Sequence, residues 1–465
     1  MSSLLGSLQS TLSGMKVAQT QLGVISSNIS NANNEDYTRK TVNTESISLS
    51  NGSGGVTIAG YSRAVDDVLD KSYNTSIATA SMTGTQVAYF SQLKDLYGIS
   101  TDNTQLDTLS TNFNNAWQAY AATPDSAATQ IQLVASGKAL ASEIQRLSSG
   151  LSTADNQIKQ ATSDDVDAVN GDLKDIAALN AQISSAVTAN GDAGSYEDER
   201  DAKLRDLSQY VSIQTFPAAN GQVRITTSAG YTLLDQNPLK LAYNGTTITD
   251  AATGQDLNSS MTGGSLEALV NFRANSSPAT ASTDSNTEVI RKLQDQLNAV
   301  ANNLLTTTGS PATFAAAYNG ATAATGELTA GFFTGTDAST IAVNSSLLNG
   351  TATVKQASGD AVYTALTATG RTTSAGNVTI TNGTYSDYIN QVFSTLGQAS
   401  ASATSDNDLA TATRDAYKQR VSATSGVNTD EELVNLTQIQ NSYAVSAHVI
   451  SVINTMYDTL VGILQ

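Results

Sequence analysis

Two stretches at opposite ends of the chain decide its fold: SSLLGSLQSTLSGMKVAQTQLGVISSNISNANN at 2–34 and IQNSYAVSAHVISVINTMYDTLVGIL at 439–464. In both, apolar side chains recur at alternating steps of three and four residues, which is the spacing of a heptad seam. A helix with such a stripe cannot bury it alone, so we expect the two ends to pair as a coiled coil. The expected seam, and therefore the expected assembly interface, consists of Leu5, Leu8, Leu12, Met15, Leu22, Ile29, Ile439, Tyr443, Ile450, Ile453, Tyr457, Leu460 and Leu464.

The outer faces of the two predicted helices carry almost no charge. Lys16 is the charged residue of the first stretch, and Asp458 and the lone His448 are the titratable side chains of the second apart from its tyrosines. A solvated coiled coil carries Glu and Lys at the positions that flank its seam. Ser, Thr, Asn and Gln in their place favour packing against further copies of the chain over a helical hairpin that closes an ordinary bundle.

Composition excludes several classes of function. The 465 residues carry a net charge of −18 and only 14% charged side chains. Nucleic acid and anionic membrane surfaces are not expected partners, because both need clusters of Lys and Arg. No apolar run approaches the roughly 18 residues of a membrane span. The first residues lack the basic region and apolar core of a cleaved signal peptide, so export would proceed without one.

Catalytic chemistry has few candidates in this sequence. The absence of cysteine and the single His448 exclude Cys/His nucleophilic sites and zinc fingers. The densest charge run, 198–201, is expected to be a salt-bridge cluster at a helix start and not a catalytic carboxylate pair. His448 is expected to be an ordinary helix residue. We therefore expect a protein that is not an enzyme, with no catalytic residue, cofactor or metal site.

The interior of the chain alternates between helical and β patterns. We expect a terminal coiled-coil domain at 1–40 and 428–465, a helical bundle at 41–210 and 385–427, and a β-rich inserted domain at 211–384. Within these, we expect helices around 131–147 and 158–187, a hairpin with its turn at 51–55, and short strands at 223–227, 231–234 and 239–243. Turns are expected at 220–221, 244–245 and 382–383. A helix at 289–305 interrupts the insert. The predicted fold class is mainly α with a β-rich inserted domain.

Several of these segments resemble a known family. SNISNAN at 27–33 followed by YTR at 37–39 resembles the N-terminal signature of flagellar rod, hook and hook-associated proteins. That signature usually has Thr-Pro-Gly before the tyrosine, where this chain has NED at 34–36. The stretch 427–460 is similar to the C-terminal helix of the same family. NFNNAW at 112–117 and DERDAKL at 198–204 are similar to its hook-associated protein 1 group, and the likeness is weak from 274 to 384.

The resemblance implies a structural subunit secreted by the flagellar type III apparatus. Such a subunit would form a homo-oligomeric ring in the flagellar axis between the hook protein and hook-associated protein 3, with its terminal helices in the inner tube. An export chaperone is expected to cover the apolar stripe of the C-terminal helix before assembly. The alternatives are hook-associated protein 3, a flagellin, or a secreted adhesin-like binding protein that uses the β-rich insert.

Overall fold

The computed structural model describes residues 2–48, 54–99, 105–189, 191–273 and 287–463. Residues 51–53 of the predicted turn, and Leu464, lie outside this range. The helices are α1 (Ser2–Ser30), α2 (Asp67–Tyr97), α3 (Gln105–Ala122), α4 (Ala127–Thr188), α5 (Gly194–Tyr210), α6 (Gly264–Arg273), α7 (Val289–Leu305), α8 (Phe314–Gly320), α9 (Ser345–Leu348), α10 (Gly359–Thr367), α11 (Tyr385–Ser425) and α12 (Thr429–Ile463). Long helices dominate, which confirms the predicted mainly α fold with smaller β-containing regions.

The strands form small antiparallel sheets. They are β1 (Lys40–Ser48), β2 (Gly54–Arg63), β3 (Ile213–Pro217), β4 (Val223–Thr227), β5 (Thr232–Leu234), β6 (Leu241–Tyr243), β7 (Ile248–Asp250), β8 (Phe333–Thr334), β9 (Ala342–Val343), β10 (Arg371–Ala375) and β11 (Val378–Gly383). One sheet has the order β3-β4-β5, and the others are the pairs β1-β2, β6-β7, β8-β9 and β10-β11. The three short strands predicted in the insert are confirmed as β4, β5 and β6.

Helix α4 is longer than the sequence pattern indicates. We expected separate helices around 131–147 and 158–187, but one helix of 62 residues covers both. Ser126 caps its start by accepting a hydrogen bond from the Thr129 amide. Gly150 lies between the two predicted helices, and a Cβ there would collide with Leu96 of α2. The glycine therefore permits close packing between the helices and does not end α4, because one glycine in a long helix costs only about 1 kcal/mol.

Two hydrophobic cores lie along α4. The first core surrounds the fully buried Trp117 of α3, whose ring centroid is 5.6 Å from those of both Phe314 and Phe332. It joins α3 and the first half of α4 to α7, α8, α10 and the start of α11. The second core joins the second half of α4 and α5 to strands β3–β7 and the start of α6. The range 211–384 thus contributes to both cores, and its helical part packs with the bundle.

The ends of the chain meet outside these cores. Helix α1 packs along α12 and against the hairpin β1-β2, and we call the described residues of 2–63 and 429–463 the terminal unit and the remainder the body. Among the described residues, neither core contains a member of the terminal unit. Helix α11 ends at Ser425, and Asn428 caps α12 by accepting hydrogen bonds from the amides of Asp430 and Glu431. Within the described part of the chain, we find no helix with the length and apolarity of a membrane span.

Candidate assembly site

Among the described residues, the paired terminal helices α1 and α12 lie outside both hydrophobic cores. Among the described side chains of the pair, the buried apolar ones are Val17, Ala18, Ile25 and Ile453. Of these only Ile453 belongs to the predicted seam. Ala18 and Ile25 are seven residues apart and lie three positions after Met15 and Leu22, so they form a second stripe beside the predicted one. The sequence carried this signal, because Ala18 and Ile25 keep the same heptad step.

The predicted seam residues differ widely in how much of each side chain is exposed to solvent. Leu5, Leu12, Tyr443 and Tyr457 are exposed, at 56%, 55%, 37% and 55%. Half-buried members are Leu8, Met15, Leu22, Ile29, Ile439 and Ile450. Leu460 lies in α12 without a described side chain. The predicted residues therefore lie partly between the two helices and partly on their outer surface, and their role in an interface stays a prediction.

Helix α12 exposes an apolar surface to solvent. The exposed side chains include Leu433 at 50%, Val434 at 68% and Val445 at 64%. Farther along the helix, Val452 and Met456 continue the surface at 45% and 50%. Contiguous apolar surface of this kind on a single subunit typically marks a protein interaction site. His448 is also exposed on this helix, as expected for an ordinary helix residue.

A buried asparagine connects the two helices at the base of the terminal unit. The Asn28 Nδ2 donates to the Lys40 carbonyl oxygen at 2.9 Å and to Glu432 Oε2 at 3.1 Å. Its Oδ1 accepts from the Tyr37 hydroxyl at 2.9 Å and from the Lys40 amide at 3.1 Å. The side chain is 1% exposed and uses both its donors and both its acceptor positions. Asn28 therefore fixes α1, β1 and α12 relative to one another.

Glu432 is the acidic member of this contact. It is 2% exposed and accepts from Arg39 Nε at 2.8 Å, while Arg39 also reaches the exposed Glu431 at 2.9 Å. The hydrogen bond to Glu432 is the largest cause that raises the pKa of the Arg39 guanidinium. A buried carboxylate is tolerated only when it is paired and hydrogen-bonded, and here both conditions hold.

Two cations of the hairpin bind the acidic start of α5. Lys40 Nζ lies 3.1 Å from Asp198 Oδ2, and Arg63 contacts Glu197, Asp198 and Asp201 at 2.9, 2.8 and 2.8 Å. Burial lowers the pKa of the Arg63 guanidinium, but the three carboxylates outweigh it and the net pKa is raised. The predicted salt-bridge cluster at 198–201 is confirmed, and its partners come from residues that the sequence analysis had not linked to it.

The NED segment that replaces Thr-Pro-Gly also binds the body. Glu35 Oε2 lies 2.7 Å from Lys418 Nζ on α11, and Asp36 Oδ1 lies 2.7 Å from Arg205 on α5. These four residues line a cleft of 180 Å³ together with Asp70 of α2. Burial, and then the charge of Asp201, raise the pKa of Asp70 to about 6, although Arg205 and Arg63 oppose the shift. We name the pairs Glu35–Lys418 and Asp36–Arg205 the surface clamp.

The arrangement joins and orients helices. Within the described residues, His, Asp and Glu side chains form no group of three that could hold a metal ion. Lys40 and Arg63 of the terminal unit form ion pairs with Glu197, Asp198 and Asp201 of α5. These contacts hold the hairpin against α5.

Comparison with known proteins gives three matching family models. A model described as "Flagellar hook-associated protein FlgK helical domain" matches residues 90–324. Models described as "Flagella basal body rod protein" and "Flagellar basal body rod FlgEFG protein C-terminal" match 8–38 and 418–463. The two rod models thus cover the helices of the terminal unit, and the first covers half of the chain.

The chain is similar to hook-associated proteins of two named bacteria. The chain is 26% identical over 234 residues to flagellar hook-associated protein 1 of Escherichia coli (strain K12), covering 49% of this chain and 42% of that one. It is 23% identical over 256 residues to the protein of the same name from Bacillus subtilis (strain 168), covering 52% and 50%. The chain spans about half the length of the curated relatives that it matches. The solved flagellar hook junction protein FlgK from Burkholderia pseudomallei matches with a TM-score of 0.47 at 22% identity, over 57% of this chain and 46% of that one.

Proposed function

This chain belongs to the flagellar hook-associated protein FlgK family, and from that membership we propose that it is a structural subunit of the bacterial flagellum. In this proposal it forms the junction between hook and filament, and the filament cannot assemble without it. The proposed role is structural and not catalytic. The subunit acts outside the cell, in the flagellum.

One observation carries the proposal. The terminal helices pair with each other, yet they leave apolar and nearly uncharged surface exposed, including Leu12 and Val434. A single subunit gains nothing from such a surface, because apolar area in water is unfavourable by roughly 25 cal/mol per Å². Neighbouring subunits in a ring would cover it. We therefore propose that the thirteen predicted seam residues serve the assembly interface, some within the pair and others between copies.

The proposed partners follow from a position in the flagellar axis. They are further copies of this chain, the hook protein on one side and hook-associated protein 3 on the other. Before assembly, an export chaperone would bind α12, since a groove that takes the apolar face of a helix is a common recognition mode. Truncation after Asn428 should then abolish chaperone binding, whereas a reporter fused to the first forty or so residues should still be secreted.

A deletion of the gene tests the proposed function directly. Cells without the protein should carry hooks but no filaments and should release flagellin into the medium, which electron microscopy and immunoblotting of the medium would show. Re-expression of the natural chain should restore filaments. Normal filaments in the deletion strain would refute the proposal.

A further inference from the structure

The terminal unit and the body meet through charges. The contacts described above that cross this boundary are the ion pairs of Lys40 and Arg63 with α5, the surface clamp, and two backbone hydrogen bonds. In the latter, the Arg39 amide donates to the Ser425 carbonyl oxygen and the Ala64 amide donates to the Arg39 carbonyl oxygen, both at 2.9 Å. Among the described residues, neither hydrophobic core extends into the terminal unit.

The charges at this boundary are reciprocal. Lys40 and Arg63 present positive charge from the terminal unit to Glu197, Asp198 and Asp201 of the body. Glu35 and Asp36 present negative charge from the adjoining loop to the cations of α11 and α5. An orientation in which the unit turned away would separate both sets at once. Reciprocal pairing of this kind gives specificity of orientation more than raw affinity.

The two sets differ in their exposure to solvent. The Arg63 and Asp198 side chains are each 10% exposed, whereas the Lys418 and Glu35 side chains are 47% and 75% exposed. Salt screens exposed pairs over a Debye length of roughly 3 Å at 1 M, and it affects buried pairs much less. The boundary therefore combines a salt-resistant contact at Arg63 with a salt-sensitive surface clamp.

We propose that this boundary is an ionic joint, in which Lys40 and Arg63 are the positioning residues that hold the terminal unit at a fixed angle to the body and the surface clamp is a second, screenable hold. The chain connections alone do not fix that angle, because the backbone crosses only at 63–66 and at the break 426–428. This inference concerns the free subunit and does not depend on the proposed function.

The absence of cysteine makes the angle measurable. Ala412→Cys on α11 and Ala444→Cys on α12 place spin labels on exposed positions of the body and the terminal unit. Pulsed electron paramagnetic resonance then reports the distribution of distances between them in the full chain. We expect one narrow peak for the otherwise natural chain at low salt and at 1 M salt.

Lys40→Gln together with Arg63→Gln removes both cations that reach α5 and should leave the surface clamp as the remaining ionic hold. The peak should therefore stay narrow at low salt and be lost at 1 M salt. Adding Arg205→Glu and Lys418→Glu should abolish the narrow peak at both salt concentrations. Adding Glu35→Lys and Asp36→Arg to that chain restores opposite charges and should recover the low-salt peak. Lys138→Gln, which removes an exposed cation of α4 remote from the joint, is the matched control and should change nothing.

The reasoning fails if the chain with both Lys40→Gln and Arg63→Gln keeps the same narrow peak at both salt concentrations, or if it keeps the peak after the clamp charges are reversed. It also fails if the otherwise natural chain gives a broad distribution at low salt. Thermal unfolding followed by circular dichroism checks that the body stays folded in each variant, as expected because neither core contains a joint residue. A variant that unfolds the body would contradict the assignment of these residues to a joint.

Discussion

Glu432 offers the sharpest test of how the terminal unit is held together. In Glu432→Gln one carboxylate oxygen becomes an NH₂ group. That group must then face either Arg39 Nε or Asn28 Nδ2, both of which are donors at 2.8 and 3.1 Å in the natural chain. A hydrogen bond to a charged group contributes roughly 1.5–3 kcal/mol. Arg39 keeps its contact with Glu431, so we place the cost near the lower end, at about 2 kcal/mol.

Hydrogen exchange of backbone amides measures this loss of stability in the terminal unit, where we expect it. A loss of about 2 kcal/mol corresponds to about 25-fold faster exchange of amides that open with the terminal unit. The effect should appear in α1 and at the start of α12 and should be absent from α4, since both cores lie in the body. Glu431→Gln is the matched control. Glu431 is 54% exposed, and exposed pairs contribute about 0–1 kcal/mol, so exchange should rise by less than about fivefold.

The same measurement can refute the reasoning. Equal acceleration in Glu432→Gln and Glu431→Gln would show that burial of the carboxylate does not matter. Acceleration of α4 amides in Glu432→Gln would show that the terminal unit and the body open together, and the division between them would then be wrong.

Three further predictions concern assembly, pH dependence and the first core. Leu12→Asp should leave the melting temperature of the free subunit nearly unchanged, because Leu12 is 55% exposed, yet it should prevent filament attachment; restored motility in a deletion strain would count against an interface there. Asp70→Asn should stabilise the protein at pH 7 and change little at pH 3.5. Burial raises the pKa of Asp70 in the folded protein to about 6, from a value near 3.8 in the unfolded chain. Between these two pH values the folded protein binds the proton and the unfolded chain does not, so the free energy of unfolding falls as the pH rises from 3.8 to 6. The full pKa shift would correspond to a stabilisation of about 3 kcal/mol in Asp70→Asn at pH 7, and the partial exposure of Asp70 reduces it to about 1 kcal/mol. A melting temperature of Asp70→Asn below that of the natural chain at pH 7 would contradict this prediction. Trp117→Ala should cost about 3–5 kcal/mol in urea unfolding monitored at the first core, because the side chain is fully buried, and a cost below about 1 kcal/mol would be incompatible with that packing.

Local patterns in the sequence were sufficient to predict many helices, strands and turns, but they did not predict the contacts between them. The β strands at 223–243 and the helix at 289–305 follow from patterns within a few residues, and they were found. Positive φ angles at Asn220, Gly245 and Asn382 confirm the predicted turns. The union of the two predicted helices into α4 was missed, since apolar spacing within each segment does not show whether the residues between them are also helical.

The joint could not be read from the sequence for a different reason. Its residues lie far apart along the chain, as with Arg63 and Asp198, which are 135 positions apart. The acidic run at 198–201 was recognised as a salt-bridge cluster, but nothing near it identified Arg63 or Lys40 as partners. The seam was predicted on one stripe of α1, whereas Ala18 and Ile25 lie buried on the neighbouring stripe. Heptad spacing predicts the period of the apolar stripe. It does not predict which face of the helix turns toward its partner.

The separation of α1 from α12 also dictates the order in which the molecule can fold. Helix α1 is synthesised early but must wait for α12 before its apolar face finds its intramolecular partner. Closing a loop of that length in an unfolded chain costs on the order of 5 kcal/mol in entropy, from (3/2)RT ln n. Once the body has folded, however, Ser425 at the end of α11 lies within hydrogen-bond distance of Arg39, so most of that closure is already complete.

The body therefore acts as a template that brings the two ends together, and the terminal helices close last. A substitution deep in either core would slow this final step without touching a single residue of the terminal helices. Assembly defects in such variants would then be defects of timing, since the subunit would reach its neighbours before its own ends had met.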